Sequence, residues 1–203
     1  MNAADHVVPR SPNIHGWPES FEHLESVVQQ RRTSLLIDTT VPVDPEIVTR
    51  LCSLITWAPN HKRTWPWQVA VFTGDSRARL GAALADDQAD DGETDQARID
   101  KTRRKYGRST VCIVVGSARA DTDERTGENR DAVAAGIQNL LLGATTLGLA
   151  SFWSSPPSRR GRRTLSLCGF PDTSELVAVI YLGWPNGSVE VPERPNLSIN
   201  TFG

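Results

Sequence analysis

Two arginines and two hydroxyl side chains stand together at 31–34, in the run "QQRRTS". Guanidiniums pair with phosphate oxygens and hydroxyls add further bonds, so Arg31, Arg32 and Thr33 have the chemistry to hold a phosphate. The same residues close a helical pattern, and basic side chains at a helix C-terminus also complement its dipole. Both readings stand on composition alone. A second group lies at 57–67, "WAPNHKRTWPW", which gathers three of the chain's six tryptophans with His61, Lys62 and Arg63 between prolines. This turn offers flat aromatic surface beside positive charge. The alternative is that the indoles finish a core at a helix–strand corner, and Trp67, at the head of a strand, fits that.

Other chemistries find little support. The four histidines (His6, His15, His23, His61) form no i, i+4 pair, and no Cys/His set has zinc spacing, so a metal site is not expected. There is no G-x-S-x-G nucleophile elbow, and Cys52 lies inside a helical pattern away from His61. No G-x-G-x-x-G follows a strand, and no P-loop occurs. Cys52, Cys112 and Cys168 read as reduced core thiols of a cytoplasmic protein. With 22 basic and 24 acidic residues in 203, the net charge of −2 gives no reason to expect nucleic acid. No apolar run is long enough to span a bilayer.

The elements that must position these groups follow from periodicity. Phe21, Leu24, Val27 and Val28 share one helical face. A stronger helix over 44–58 has Asp44 as its cap, Pro45 in its first turn and Pro59 as its stop. The spacing predicts strands at 67–74, 109–118, 149–153 and 174–185. It predicts helices over 76–87, around 158–168, and, longest of all, over 130–149. That last helix shows small and apolar residues on most faces, so it should be enclosed by the sheet or a second subunit. Ala132, Ala135, Gly136 and Gly143 would let a neighbour come close. Residues 86–108, acidic then basic, read as a solvated flap with some helix. Residues 1–20 read as an irregular arm, 21–203 as one domain, and 186–203 as an extended C-terminal arm.

Five marks in order resemble the nitroreductase family of FMN-dependent oxidoreductases, in particular its short single-domain branch. They are "RRTS", "WAPNHKRTWPWQVAVF", "IDKTRRK", "AAGIQNLLLGATTLGLASFW" and "VIYLGWP". The resemblance implies an α+β fold: an α/β/α sandwich with a mostly antiparallel sheet, whose C-terminal arm reaches the other subunit of a homodimer. It implies FMN held by Arg31, Arg32, Thr33, Trp57, His61, Trp153, Ser154 and Ser155. It implies NAD(P)H as co-substrate, contacting Thr145, Thr146, Leu147, Gly148, Leu149 and Ala150. The implied activity is ping-pong transfer of hydride through the flavin to a nitroaromatic, quinone or enone, with no catalytic side chain and the flap shaping acceptor choice. The chain departs from the family pattern at Trp57, Trp65 and Ser154, where polar or basic residues are usual. Those departures motivate an alternative: a diverged, non-catalytic flavin-binding or flavin-sequestering protein on the same dimeric fold.

Overall fold

A computed structural model describes residues 17–203, and the expectations for 1–16, His6 and His15 included, lie outside the described residues. The elements run α1 (Glu19–Gln30), α2 (Pro45–Ser53), β1 (Trp67–Thr73), α3 (Ser76–Asp90), α4 (Gln96–Lys105), β2 (Val111–Ser117), α5 (Asp123–Thr146), β3 (Ala150–Ser154), α6 (Arg162–Cys168) and β4 (Glu175–Gly183), with short 3₁₀ turns at Leu54–Trp57, His61–Arg63 and Tyr106–Arg108. The strands form one sheet in the order β1-β2-β4-β3, and every pairing is antiparallel. Helices cover both faces, so the fold is a mixed α+β sandwich.

Alternation along β2 builds both sides of the core. Val111, Ile113 and Val115 face α2 and α5, where they meet Val48, Leu51, Val133, Ile137 and Leu140. Cys112 and Val114 face the other way, toward Leu80 and Leu84 of α3, Tyr106, and Leu165 of α6. The register between β2 and β4 shifts at Val115/Gly116. A bulge there lets adjacent Val177 and Ala178 join the same core cluster, which strict alternation forbids.

Asp44 does cap α2, its Oδ1 accepting the Glu46 N–H at 2.7 Å, with Pro45 in the first turn. The other deviations have physical causes. The long helix starts at Asp123, earlier than its apolar pattern, because Thr122 accepts the Arg125 N–H and caps two polar turns. Nor is it enclosed all round within the protomer. Ala132, Val133, Gly136, Ile137, Leu140, Leu141 and Ala144 form a buried stripe, while Ala135 remains exposed and Ala134 and Leu142 half-buried. The neighbour that comes close is the chain's own 3₁₀ turn: a Cβ on Gly136 would stand 2.5 Å from the Ile55 carbonyl oxygen.

Residues 86–108 hold more helix than a flap with some helix implies. They complete α3, turn, and form α4, whose Ile99 and Thr102 are buried. Asp87 explains part of the misreading, since it is a carboxylate only 2% exposed. It accepts the Arg163 N–H at 3.0 Å, the Thr164 N–H at 2.8 Å and the Thr164 hydroxyl at 2.6 Å, capping α6 from another helix. A side chain on Gly161 would collide with that carboxylate. α1, in contrast, buries none of its residues: Phe21, Leu24 and Val28 are exposed. The tail beyond Gly183 forms no helix or strand and exposes Val191, Leu197, Ile199 and Phe202.

Candidate functional site

The end of α1 forms one corner. Arg31 donates its backbone N–H to the Val27 carbonyl and closes the helix. The Arg32 guanidinium folds back, donating from Nη1 to the carbonyls of Gln29 at 2.5 Å and Arg31 at 2.8 Å. So the dipole-complementing role read from the sequence is realised. Arg32 Nε, however, is buried and has no hydrogen-bond partner. An orphaned cationic donor of this kind is costly unless something fills the space beside it. A cavity of about 230 Å³ lies there, lined by Gln30, Arg32, Ser34, Thr145, Gly148, Leu149, Ala150, Pro185, Gly187 and Val189. Ser34 fixes the loop to the sheet, its N–H donating to the Ser151 carbonyl at 2.9 Å. Thr33 is exposed.

The structure therefore joins Arg32 to the stretch 145–150, two groups assigned separately from the sequence. Thr146 and Leu147 are exposed outside the lining. The remaining lining residues, Pro185, Gly187 and Val189, come from the chain's end. The bridge between Ile37 and Pro185 and the bond from the Asn186 N–H to the Leu36 carbonyl bring them in. No local motif announces that return. Trp153 packs on the core of the α5 face, and Ser154, half-buried, donates to the Ser155 carbonyl at 3.3 Å. Both follow β3 away from the Arg32 cavity.

The tryptophan turn makes a second corner. Trp57 is 82% exposed and Trp65 64% exposed, so neither completes the core, whereas Trp67 packs against it. Lys62, Arg63 and Trp65 all have positive φ (58°, 53° and 50°), a conformation that costs non-glycine residues about 1–2 kcal/mol each. Side chains hold them there. Asn60 accepts the Trp65 N–H at 2.9 Å and donates to Thr64 at 3.0 Å. Thr64 donates to Asn129 at 2.5 Å, and Asn129, itself 3% exposed, donates to the Ala118 carbonyl at 3.0 Å. His61 Nδ1 lies 2.8 Å from Glu128 on α5. Sequence reasoning missed Asn60, Thr64, Glu128 and Asn129, because Thr64 and His61 find their partners on α5, far along the chain, and Asn60 serves only to hold that turn.

These corners occupy opposite ends of the molecule. Trp67 pairs with Ser117, and Ser117 with Glu175. Ala150 pairs with Gly183, at the far ends of the same ladder. Seven-residue strands separate the two ends by about 20 Å. No residue of 86–108 lines the Arg32 cavity.

Titratable chemistry within the core is quiet. Burial pushes the Cys52 and Cys112 thiols up to about 11 and Cys168 up to about 12. The Tyr106 and Tyr181 phenols are raised too, mainly by burial. All three cysteines are free. Among the described residues no three His, Cys, Asp or Glu side chains gather where they could hold a metal ion, and no helix is long and apolar enough to cross a membrane.

The nitroreductase family model matches residues 28–184, which span both corners and the whole sheet. This chain belongs to the nitroreductase family. Among curated relatives of this nitroreductase-family chain is a Bacillus subtilis protein named "Putative NAD(P)H nitroreductase YfhC", 22% identical over 92% of this chain and 95% of its own. A nitroreductase-like family protein from Bacillus cereus has the same fold, with TM-score 0.73 and 22% identity over 85% of this chain and 91% of that one. A Bacteroides fragilis nitroreductase with bound FMN superposes with TM-score 0.71 and 16% identity over 88% of this chain and 97% of that one.

Proposed function

We propose that this nitroreductase-family chain is an FMN-dependent oxidoreductase that takes hydride from NAD(P)H and passes it to a small nitroaromatic, quinone or enone. It works as a homodimer. The observation that carries the reading is the split of its candidate cofactor residues between two corners about 20 Å apart. One compact ligand cannot touch both within a protomer. A two-fold partner laid against the exposed faces of α1 and α5 brings the turn of one copy to the Arg32 corner of the other. The exposed apolar residues of α1 and the tail are then covered, and the C-terminal arm reaches across.

The residues present fit the cofactor. The unpartnered Arg32 Nε and the cavity beside it suit a phosphate, with Ser34 and Thr145 in the same lining and Arg31 and Thr33 adjacent in the chain. Thr145, Gly148, Leu149 and Ala150 line that same cavity, so it serves the FMN phosphate first, and the NAD(P)H contacts of 145–150 fall on its exposed rim at Thr146 and Leu147. Bound FMN supplies the two-electron chemistry. The chain's own part is positional. Glu128 engages His61 Nδ1 and leaves Nε2 for the cofactor. Trp57 and Trp65 would add apolar surface beside the cofactor, and Trp153, Ser154 and Ser155 would contact it from the end of β3. No side chain is required to move a proton in the hydride step.

The test is the absorption spectrum of the purified protein, its FMN content after denaturation, and its mass in solution. A flavin-free monomer of 22.3 kDa that neither binds added FMN nor oxidises NAD(P)H would refute the proposal. Trp57, Trp65 and Ser154 favour a second reading, a flavin-binding protein without turnover, since each replaces a polar contact. Tight FMN binding without NAD(P)H oxidation selects it.

A further inference from the structure

Beside the strained turn lies a second cavity, about 400 Å³, lined by Lys62, Thr64, Arg119, Asp121, Arg125 and Asn129 together with two alanines. Its volume lies within the usual range for small-ligand sites. Its charge is unbalanced. Arg119 pairs with Asp123 at 3.0 Å and Arg125 with Asp121 at 2.7 Å. Lys62 has no acidic partner among the described residues. Three cations and one carboxylate, Asp121, thus line the cavity, and Lys62 alone of the three cations has no ion-pair partner. Lys62 lines the cavity from a left-handed backbone, φ 58°, inside the turn that the Asn60–Thr64–Asn129 network ties to α5. Backbone strain maintained by a dedicated network marks a placement that folding alone does not require. Trp65, next in the chain after Thr64, is exposed and its ring lies beside Trp67, outside the cavity lining.

We propose that this cavity is a carboxylate subsite, receiving the single negative charge of a small organic anion. One uncompensated charge suits a monoanion, and Lys62 with the free donors of Arg119 and Arg125 supplies charge-assisted bonds. The ligand's identity as the electron acceptor rests on the flavin-oxidoreductase reading; the subsite does not.

Calorimetric titration of the oxidised protein, without NAD(P)H, compares p-nitrobenzoate with the uncharged p-nitrobenzamide. The acid binds about tenfold more tightly, as one charge-assisted bond predicts. Lys62→Met abolishes the preference, and added salt erodes it in the wild type. Equal affinities in the wild type, or a preference that survives both Lys62→Met and high salt, overturn the proposal. If Lys62→Met does not fold, the salt series decides. A preference for NADPH over NADH that vanishes in Lys62→Met, with no acid preference, assigns the cavity to the dinucleotide's extra phosphate and overturns it too. A protein that prefers the acid yet binds no FMN loses the flavin reading and keeps the subsite. One that oxidises NAD(P)H without the preference does the reverse.

Discussion

Removing Asn129 should open the tryptophan turn without unfolding the domain. Asn129 is 3% exposed and links Thr64 to the Ala118 carbonyl. Asn129→Ala deletes two neutral hydrogen bonds and leaves a hydroxyl and a carbonyl short of partners. At about 0.5–1.5 kcal/mol per bond, plus part of the penalty for orphaned groups, the closed turn loses about 2–3 kcal/mol. The left-handed Lys62, Arg63 and Trp65 add to the effect, because their strain relaxes once the tether is gone. Trypsin reads this directly, since Lys62 and Arg63 are both its sites and both are exposed. When closing is faster than cleavage, the cleavage rate follows the open population, and 2–3 kcal/mol corresponds to about 30- to 150-fold faster nicking after residues 62 and 63. Mass spectrometry of timed digests identifies those bonds. Acceleration of less than about threefold there would mean that the network does not hold the turn.

Asp87→Ala should destabilise the protein by about 3–5 kcal/mol in urea titrations at fixed protein concentration, because three donors of α6 lose a charged acceptor; Asp87→Asn, which keeps one carbonyl, should cost less. Arg32→Ala should weaken FMN binding by about 1.5–3 kcal/mol, measured by flavin fluorescence, with the far-ultraviolet dichroism changed only at the level of one frayed turn of α1. The cysteines should resist alkylation at pH 8, since burial holds Cys52 and Cys112 near 11 and Cys168 near 12. Their folded pKa lies above the unfolded value of about 8.5, so the protonated thiols favour the folded state. That stability is complete below about pH 8.5 and is lost as pH rises toward 11; a urea midpoint that stays constant from pH 8 to 11 would contradict it.

The sheet was legible because β-branched residues crowd 109–118 and 174–185, where burial on both faces leaves no polar alternation to confuse the reading. α2 was legible from Asp44 and Pro45. α4 was hidden because its buried face is sparse: Ile99 and Thr102 within a helix that is charged or polar at every other position but Ala97, and then Tyr106 just beyond it. Asp87 looked like one more surface acid, and only its distance from Thr164 shows that it is a cap. For the candidate site, residue chemistry could be read but placement could not. Arg32 and the 145–150 stretch meet through a chain return at Pro185, and His61 meets Glu128 through the folding of α5 against the turn. Spacing in a single sequence carries neither relation.

α5 connects the two corners: Glu128 near its start engages His61, and Thr145 at its end lines the Arg32 cavity. At 1.5 Å per residue those contacts are about 26 Å apart along the axis. Deleting one residue between them would shorten the helix by about 1.5 Å and swing one corner by about 100° relative to the other. The helix is therefore constrained in length as well as at its buried positions, so a change of length is accommodated in the loops at its two ends.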